Sequence, residues 1–249
     1  MGILTFRKLR FPADREAVIN IWNAAFPEDG EYVTHFLDTI GAETVGYCAQ
    51  MHHQPIAMLF LLSGTLYVKH KPLSAQYVYA VATLPSYRGR GIASQLLAYC
   101  KTQVKTDVLY LHPATQSLVS LYSRCGFTHC LYKTSALVED CGVKRTNFTD
   151  NTALYEQKRI QFCTADVYST FDSCLYALLP SNVQLLYFEN GAAVIHCNAQ
   201  SSVILEAFAA NMPTKTEADV AVMVMLISDC AKKCFDKTVQ TFSGLYFDV

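Results

Sequence analysis

The segment from Tyr77 to Ala93 constrains the fold more than any other part of this chain. Its apolar run Val78–Ala82 is typical of a buried strand, and the residues after Ala93 repeat apolar side chains with helical spacing. Between the two lies the turn Arg88-Gly89-Arg90-Gly91-Ile92-Ala93. A strand, a glycine-rich turn and a helix N-terminus direct backbone N–H groups at one point, which suits a phosphate. Glycine permits a close approach with φ above zero, and arginine adds the permanent positive charge that a pyrophosphate requires.

The turn differs from the two best-known phosphate motifs, since it has neither the Lys-Ser/Thr of a P-loop nor the G-x-G-x-x-G of a Rossmann fold. Arg88, Gly91 and Ala93 instead satisfy the pattern [Arg/Gln]-x-x-Gly-x-[Gly/Ala]. On this pattern the chain resembles the GCN5-related N-acetyltransferase (GNAT) family, whose turn holds the pyrophosphate of acetyl-CoA. The resemblance implies that coenzyme A is bound by Arg88, Gly89, Arg90, Gly91, Ile92 and Ala93. It also implies that a splayed backbone near Val81, Ala82 and Thr83 polarises the thioester carbonyl.

A second motif lies downstream on a predicted helix. One face of this helix carries Leu118, Leu121, Tyr122 and Cys125 at i, i+3, i+4 and i+7. By spacing alone, Tyr122 is a packing residue. The GNAT family, however, carries Leu-Tyr, three residues and Gly-Phe, which Leu121-Tyr122 and Gly126-Phe127 match. The resemblance therefore implies that Tyr122 is the general acid that protonates the departing CoA thiolate, a role that a phenol held near the sulfur can perform.

The order of predicted elements over residues 1–137 is β-α-α-β-β-β-α-β-α-β, with a last strand pair near Phe127–Leu137. This order agrees with an α/β acyl-CoA N-acyltransferase fold, a mixed sheet with helices on both faces. Residues 138–160 are polar and charged, and we interpret them as a linker.

Residues 161–249 predict a second, smaller α+β half-domain. Its expected elements are a helix over Tyr168–Leu179, a hairpin at Asn190-Gly191, a strand over Ser202–Phe208 and a helix after the capping pattern that begins at Thr214. The region has no second Arg-x-x-Gly-x-Ala turn. We interpret it as a degenerate acetyltransferase-like half that does not bind the cofactor; the alternative is an unrelated α+β cap.

The general base is not fixed by the sequence. Family members often place Glu on the strand before the phosphate turn, where this chain has no acid. One substitute is the acidic cluster Glu28, Asp29 and Glu31 in the loop between the first two helices, which borders the acceptor site of this fold and would attract a cationic amine. The other is the C-terminal carboxylate of Val249, because relatives of the enhanced-intracellular-survival type use their C-terminus in this way.

Composition narrows the remaining classes of function. The net charge of −1 argues against a nucleic-acid partner, and no apolar run is long enough to span a membrane. The ten cysteines include no C-x-x-C pair, so we expect reduced thiols, no metal site and a cytoplasmic protein. The sequence predicts an acetyl-CoA-dependent N-acetyltransferase acting on a small-molecule or peptide amine. The alternative is a non-catalytic module that senses acyl-CoA; the acceptor, and whether the protein is a monomer or a dimer, are left open.

Overall fold

The computed structural model describes residues 3–27, 31–41, 44–136, 145–171, 173–179, 182–197, 202–209, 211 and 213–244. Its helices are α1 (Arg15–Ala25), α2 (Tyr32–Phe36), α3 (Ile92–Gln103), α4 (Val119–Arg124), α5 (Phe148–Phe162, broken at Asn151) and α6 (Asp229–Cys234). The first strands are β1 (Thr5–Lys8), β2 (Val45–Met51), β3 (Gln54–Val68), β4 (Lys71–Thr83), β5 (Val108–Leu111), β6 (His129–Ala136) and β7 (Arg145–Asn147). The later strands are β8 (Val167–Phe171), β9 (Val183–Phe188), β10 (Gly191–Cys197), β11 (Ser202–Ala209), β12 (Thr214–Leu226) and β13 (Thr241–Ser243).

The main sheet has the strand order β1-β2-β3-β4-β5-β12-β6-β13-β8, and β8 also pairs with β3. This last pairing closes the strands from β3 to β8 into a barrel, and β1 and β2 extend from it. A smaller antiparallel sheet has the order β11-β10-β9-β7. The fold is therefore a mixed sheet with helices on both faces, as the sequence predicts.

Two apolar cores lie on opposite faces of the main sheet. On the first, α1 and α2 bury an aromatic cluster in which Trp22 contacts Phe36 and Tyr79. On the second, α3 and α4 bury Leu97 and Tyr122 against the other side of the same strands. Alternate residues of β4 and β5 point into different cores, which is why both strands are almost continuously apolar.

Several predicted elements are confirmed. The strand before the phosphate turn ends at Thr83, and the helix after it begins at Ile92. The hairpin at Asn190-Gly191 joins β9 to β10, and Ser202–Ala209 is a strand. These features depend on glycine turns and on apolar segments with a clear period, which are local signals.

Other predictions for the second half are wrong. The helix expected after Thr214 is instead strand β12, because its apolar run is buried on both faces: Val222 and Val224 enter the first core, Met223 and Met225 the second. Such a run fits a helix and a doubly buried strand equally well. The helix expected over Tyr168–Leu179 begins as β8, which closes the barrel between β13 and β3.

The predicted linker and the strand pair at its start also need correction. Residues 145–160 form β7 and most of α5 instead of a linker. Most of the described side chains of α5 are exposed or half-buried, which explains its polar sequence, but Arg159 is buried. Of the expected strand pair in Phe127–Leu137, the described residues 127–136 form one strand, β6, whose antiparallel partner is β12, inserted between β5 and β6. The expected boundary at residue 137 thus separates two strands that pair with each other. A derivation of the smaller sheet from an acetyltransferase-like half stays a prediction.

Candidate active site

The turn before α3 has the geometry of a phosphate cradle. Gly89 and Gly91 adopt φ values of +75° and +71°, which side chains other than glycine rarely tolerate. A Cβ at Gly89 would meet no atom within 4 Å, so this backbone faces open space. Gly91 is the N-cap of the twelve-residue helix α3 and provides no side-chain cap. The first backbone N–H groups of α3 therefore point out of the helix without an intrahelical acceptor.

The two arginines of the turn are held close to it by hydrogen bonds. Arg88 donates from Nε to the carbonyl of Thr83 (3.0 Å) and from Nη2 to that of Ala24 in the last turn of α1 (3.2 Å). Arg90 donates to the carbonyl of Ser86 (2.9 Å) and lies over the ring of Tyr87. Both guanidinium groups remain exposed, so the turn combines oriented N–H groups with two fixed positive charges.

Strand β4 contains a bulge just below the turn. Tyr79 pairs with Phe60 and Ala82 with Met58, so Ala80 and Val81 together oppose a single residue of β3. Ala80 has φ +49°, an uncommon value for a residue with a side chain. The parallel pairing of β4 with β5 extends only from Ala75 to Tyr77, so the two strands are unpaired at the level of the bulge. The bulge overlaps the predicted splayed segment at Val81, whereas Ala82 and Thr83 keep regular partners on β3.

Tyr122 lies in the second core, on the same face of the sheet as α3. Its side chain is 7% exposed and its ring lies 6.0 Å from that of Phe127. Burial, with a smaller contribution from Cys125, raises the pKa of Tyr122 to about 12. No side chain or backbone group within the described ranges hydrogen bonds to its hydroxyl. The phenol is thus protonated at neutral pH and available to an external acceptor.

A groove of about 440 Å³ opens beyond the end of β5, between the loop to α4 and the paired ends of β6 and β12. Its walls are tied together, since His112 Nδ1 contacts the carbonyl of Ala221 (2.6 Å) and Gln116 hydrogen bonds to both backbone groups of Val220. A bulge in β12 brings the exposed side chains of Glu217 and Asp219 to the groove.

A family model described as an acetyltransferase (GNAT) domain matches residues 5–130, just over half of the chain. The chain belongs to the GNAT family. It is an N-acetyltransferase, and acetyl-CoA is the acetyl donor of this family. No curated protein was found to match the sequence.

Several solved structures share the fold of this GNAT chain. A probable N-acyltransferase from Enterococcus faecalis is 13% identical with a TM-score of 0.69, over 91% of this chain and 73% of that one. A GCN5-related N-acetyltransferase from Kribbella flavida is 11% identical with a TM-score of 0.63, over 92% and 72%. Eis1 from Mycobacterium abscessus is 11% identical with a TM-score of 0.65, over 90% and 74%. At these identities the similarity is one of fold, and it extends beyond the matched domain to the C-terminal half.

The residues of this GNAT chain fit the pyrophosphate of acetyl-CoA. The cradle at Gly89 and Gly91 is open, the N-terminus of α3 supplies unpaired N–H groups, and Arg88 and Arg90 supply charge. At the end of β4, the hydroxyl of Thr83 is buried without a hydrogen-bond partner among the described groups. In the described parts of the chain, no helix is long and apolar enough to cross a membrane, and no cluster of His, Cys, Asp or Glu has the form of a metal site.

The predicted acceptor-side residues are only partly visible. Glu28 and Val249 lie outside the described residues, as does Asp29. Glu31 is exposed at the start of α2, and the next residue, Tyr32, accepts a hydrogen bond from the Tyr79 hydroxyl (3.1 Å). The start of α2 therefore reaches β4 on the face opposite Tyr122.

A buried ionic network on α5 was missed by the sequence analysis. Arg159 donates two hydrogen bonds to Glu206 of β11, which also accepts from Tyr155 and from Ser243. Burial acts to raise the pKa of Glu206, but Arg159 and these hydrogen bonds outweigh it, so the pKa is lowered. One turn of the helix away, burial raises the pKa of Glu156 to about 7 against the opposing charge of Arg159. A polar segment taken for a linker gave no signal of this network.

Proposed function

We propose that this GNAT protein transfers the acetyl group of acetyl-CoA to a primary amine by direct attack, with Tyr122 as the general acid. The observation that carries the proposal is Tyr122: its side chain is 7% exposed, its phenol is protonated at neutral pH, and its hydroxyl is not hydrogen bonded to any described group. The hydroxyl oxygen is not one of the described buried polar atoms without a partner, so it can be reached from outside the second core, where a cofactor sulfur would accept its proton.

The chain's own residues would divide the work as follows. When bound, acetyl-CoA supplies an acetyl group activated as a thioester. The turn Arg88–Ala93 holds the pyrophosphate by its N–H groups and charges, which fixes the thioester relative to β4. The bulge at Ala80–Val81 frees a backbone N–H from the sheet, and this N–H would polarise the thioester carbonyl. Tyr122 would donate its proton to the sulfur as the C–S bond breaks.

The groove beyond β5 supports an amine as the acceptor. Glu217 and Asp219 are exposed, and none of the ion pairs within the described ranges involves them. Lys133 also lines the groove, so the two carboxylates exceed its charge by one, and the remaining negative charge favours the approach of a protonated amine over that of an anion. The acidic residues Glu28 and Glu31 between α1 and α2 would also attract a protonated amine.

The proposal is tested by titrating the protein with acetyl-CoA in a calorimeter and then measuring thiol release with a panel of amines. Cofactor binding with turnover of at least one amine is the expected result. Binding without turnover of any amine would contradict it and would favour a module that senses acyl-CoA. No binding would show that the Arg88–Ala93 turn does not hold a pyrophosphate.

A further inference from the structure

The groove beyond β5 begins at the level of the bulge in β4. The parallel ladder between β4 and β5 ends at the pair Tyr77 and Tyr110. Two residues further along each strand, the same register places His112 level with Tyr79, which directly precedes the bulge at Ala80–Val81. Since the ladder has ended, the sheet is open between the two strands at this level. His112, the first residue after β5, thus lies next to the segment that would hold the thioester carbonyl.

A hydrogen bond to a backbone carbonyl fixes the tautomer of His112. Its Nδ1 lies 2.6 Å from the carbonyl oxygen of Ala221 on β12. A carbonyl oxygen can only accept a hydrogen bond, so Nδ1 carries the proton, and in the neutral imidazole the lone pair is on Nε2. The carbonyl is itself held in place, because Gln116 hydrogen bonds to both backbone groups of the preceding residue, Val220. One ring nitrogen of His112 is therefore anchored, as in an oriented general base.

His112 borders open space instead of a closed core. It is half-buried and lines the groove of about 440 Å³ together with Glu217 and Asp219. A protonated amine attracted by these carboxylates would enter the same groove as the imidazole. Histidine gains and loses protons near neutral pH, which suits proton removal from such an amine. The charged and titratable groups around His112 are Glu217 and Asp219 on β12, Lys133 on β6, Tyr110 on β5 and Tyr79 on β4.

We propose that Nε2 of His112 is the base that removes a proton from the acceptor amine; this inference rests on the proposed function. The protonated amine gives one proton to Nε2, directly or through one water. Its nitrogen then forms a bond to the acetyl carbon as the C–S bond breaks, and Tyr122 gives its proton to the sulfur. The nitrogen loses a second proton, which passes through solvent to the Tyr122 phenolate. The imidazolium releases the first proton to bulk water, so both groups return to their starting states.

The test compares wild type with His112→Asn and with the control His196→Asn. The amide nitrogen of asparagine can replace Nδ1 as the donor to Ala221, so the wall of the groove keeps its hydrogen bond while the base is lost. His196 is also half-buried, but it lies on β10 of the smaller sheet, where it contacts Asn182 (2.8 Å). Calorimetric titration with acetyl-CoA should give the same affinity for all three proteins.

The pH profile separates a base from a residue that only braces the groove. At neutral pH, kcat/KM of His112→Asn should be about 10²-fold below that of wild type, and His196→Asn should match wild type. Between neutral pH and the pKa of the amine, kcat/KM of His112→Asn should rise about tenfold per pH unit, because only the unprotonated amine reacts, whereas that of wild type should change little. Wild-type kcat/KM in His112→Asn, or a deficit of the same size at every pH, would overturn the inference while the acetyl transfer itself stands.

A second readout needs no turnover. Nitrogen-15 spectra of wild type with labelled histidine, in which the His112 signals are those absent from His112→Asn, should show at alkaline pH a neutral ring that is protonated on Nδ1. A proton on Nε2 would overturn the inference, because no lone pair would then be available to the amine. Wild type that binds acetyl-CoA but acetylates no amine would overturn both the proposed function and this inference.

Discussion

At the scale of single residues, burial sets the chemistry that Tyr122 can perform. Its pKa of about 12 keeps the phenol protonated throughout the neutral range, so it can donate a proton but cannot accept one there. A phenol of this pKa is a weaker acid than a thiol, so its proton moves only as negative charge develops on the sulfur. Tyr122 should therefore contribute no alkaline limb to the pH profile below about pH 10.

We expect Tyr122→Phe to lose turnover by about 10²-fold or more and to keep its affinity for acetyl-CoA within about threefold. Steady-state kinetics and calorimetry on the same preparation measure the two quantities. Tyr99→Phe is the matched control, because Tyr99 stacks on Phe6 at the far end of α3 and should keep wild-type turnover. If Tyr122→Phe and wild type had equal turnover, Tyr122 would not be the general acid and would serve only in packing.

Glu156 also makes stability depend on pH. Its pKa is about 7 in the folded protein and 4.5 for an ordinary glutamate, so the folded state binds more protons between these values. The stability that Glu156 contributes through this proton binding is fully present below about pH 4.5 and is lost as the pH rises through about 7. Since one pKa unit corresponds to about 1.4 kcal/mol, the loss is on the order of 3 kcal/mol.

Glutamine does not titrate, so the variant Glu156→Gln should not lose this stability as the pH rises. The free energy of unfolding of Glu156→Gln minus that of wild type should therefore increase from about pH 5 to about pH 8. Urea unfolding at several pH values measures the difference. The variant Glu189→Gln, which removes a charge from the exposed turn between β9 and β10, should show no such trend. A difference between Glu156→Gln and wild type that stays constant with pH would mean that the folded-state pKa of Glu156 is ordinary.

At the scale of elements, the proposed reaction centre depends on two local departures from regular structure: the bulge at Ala80–Val81 within β4, and the left-handed residues Gly89 and Gly91 in the turn that follows β4. The bulge removes backbone groups from the ladder, and the turn would direct those of α3 at the cofactor. Both are only a few residues long and both depend on positive φ values, so small changes in them have large consequences for binding.

Gly91→Ala should weaken acetyl-CoA binding at least about tenfold, because its Cβ enters the cradle and φ of +71° is strained for alanine by about 1–2 kcal/mol. Calorimetric titration gives the affinity. Gly126→Ala serves as the control, since Gly126 has φ +103° at the end of α4, outside the turn. It should lose stability and keep its affinity. If both variants lost affinity to a similar extent, the loss in Gly91→Ala would result from backbone strain and not from a Cβ in the cradle.

The sequence could predict the features that neighbouring residues determine, but not those that depend on contacts with residues far along the chain. The turn Arg88–Ala93 and α3 were predictable, because glycine and a helical period act within a few residues. The bulge at Ala80–Val81 has no signal of its own in the residues, because no glycine marks it and it arises from the pairing of β3 with β4; the family resemblance alone implied a splayed segment near Val81. Glu156 was not predictable, because its pKa arises from burial by strands far along the chain. Strand β12 was mistaken for a helix because an apolar run that is buried on both faces shows no alternation of apolar and polar residues.

At the scale of the whole molecule, the acetyltransferase sheet depends on the C-terminal half. Strand β12 pairs with β5 on one side and β6 on the other, and β8 and β13 close the barrel. The two halves therefore share one sheet, although the matched domain ends at residue 130. Without β12, the exposed edges of β5 and β6 would have no partner and the apolar side chains that β12 covers would meet water.

A fragment of residues 1–137 should consequently fail to fold into a cooperative unit. Circular dichroism and thermal unfolding of the fragment, compared with the full chain, measure this. We expect no cooperative transition and a tendency to aggregate. Addition of a separate fragment of residues 138–249 should restore a transition. A fragment of residues 1–137 that unfolds cooperatively by itself would contradict the role given to β12.

The position of β12 in the chain also governs when the protein can fold during its synthesis. The turn Arg88–Ala93 leaves the ribosome early, but the central strand of the sheet is translated more than a hundred residues later. Nascent chains usually fold in order from the N-terminus. Here β5 and β6 must wait for β12, so the growing chain exposes apolar strands for most of its translation and would be a natural client for chaperones that bind at the ribosomal exit.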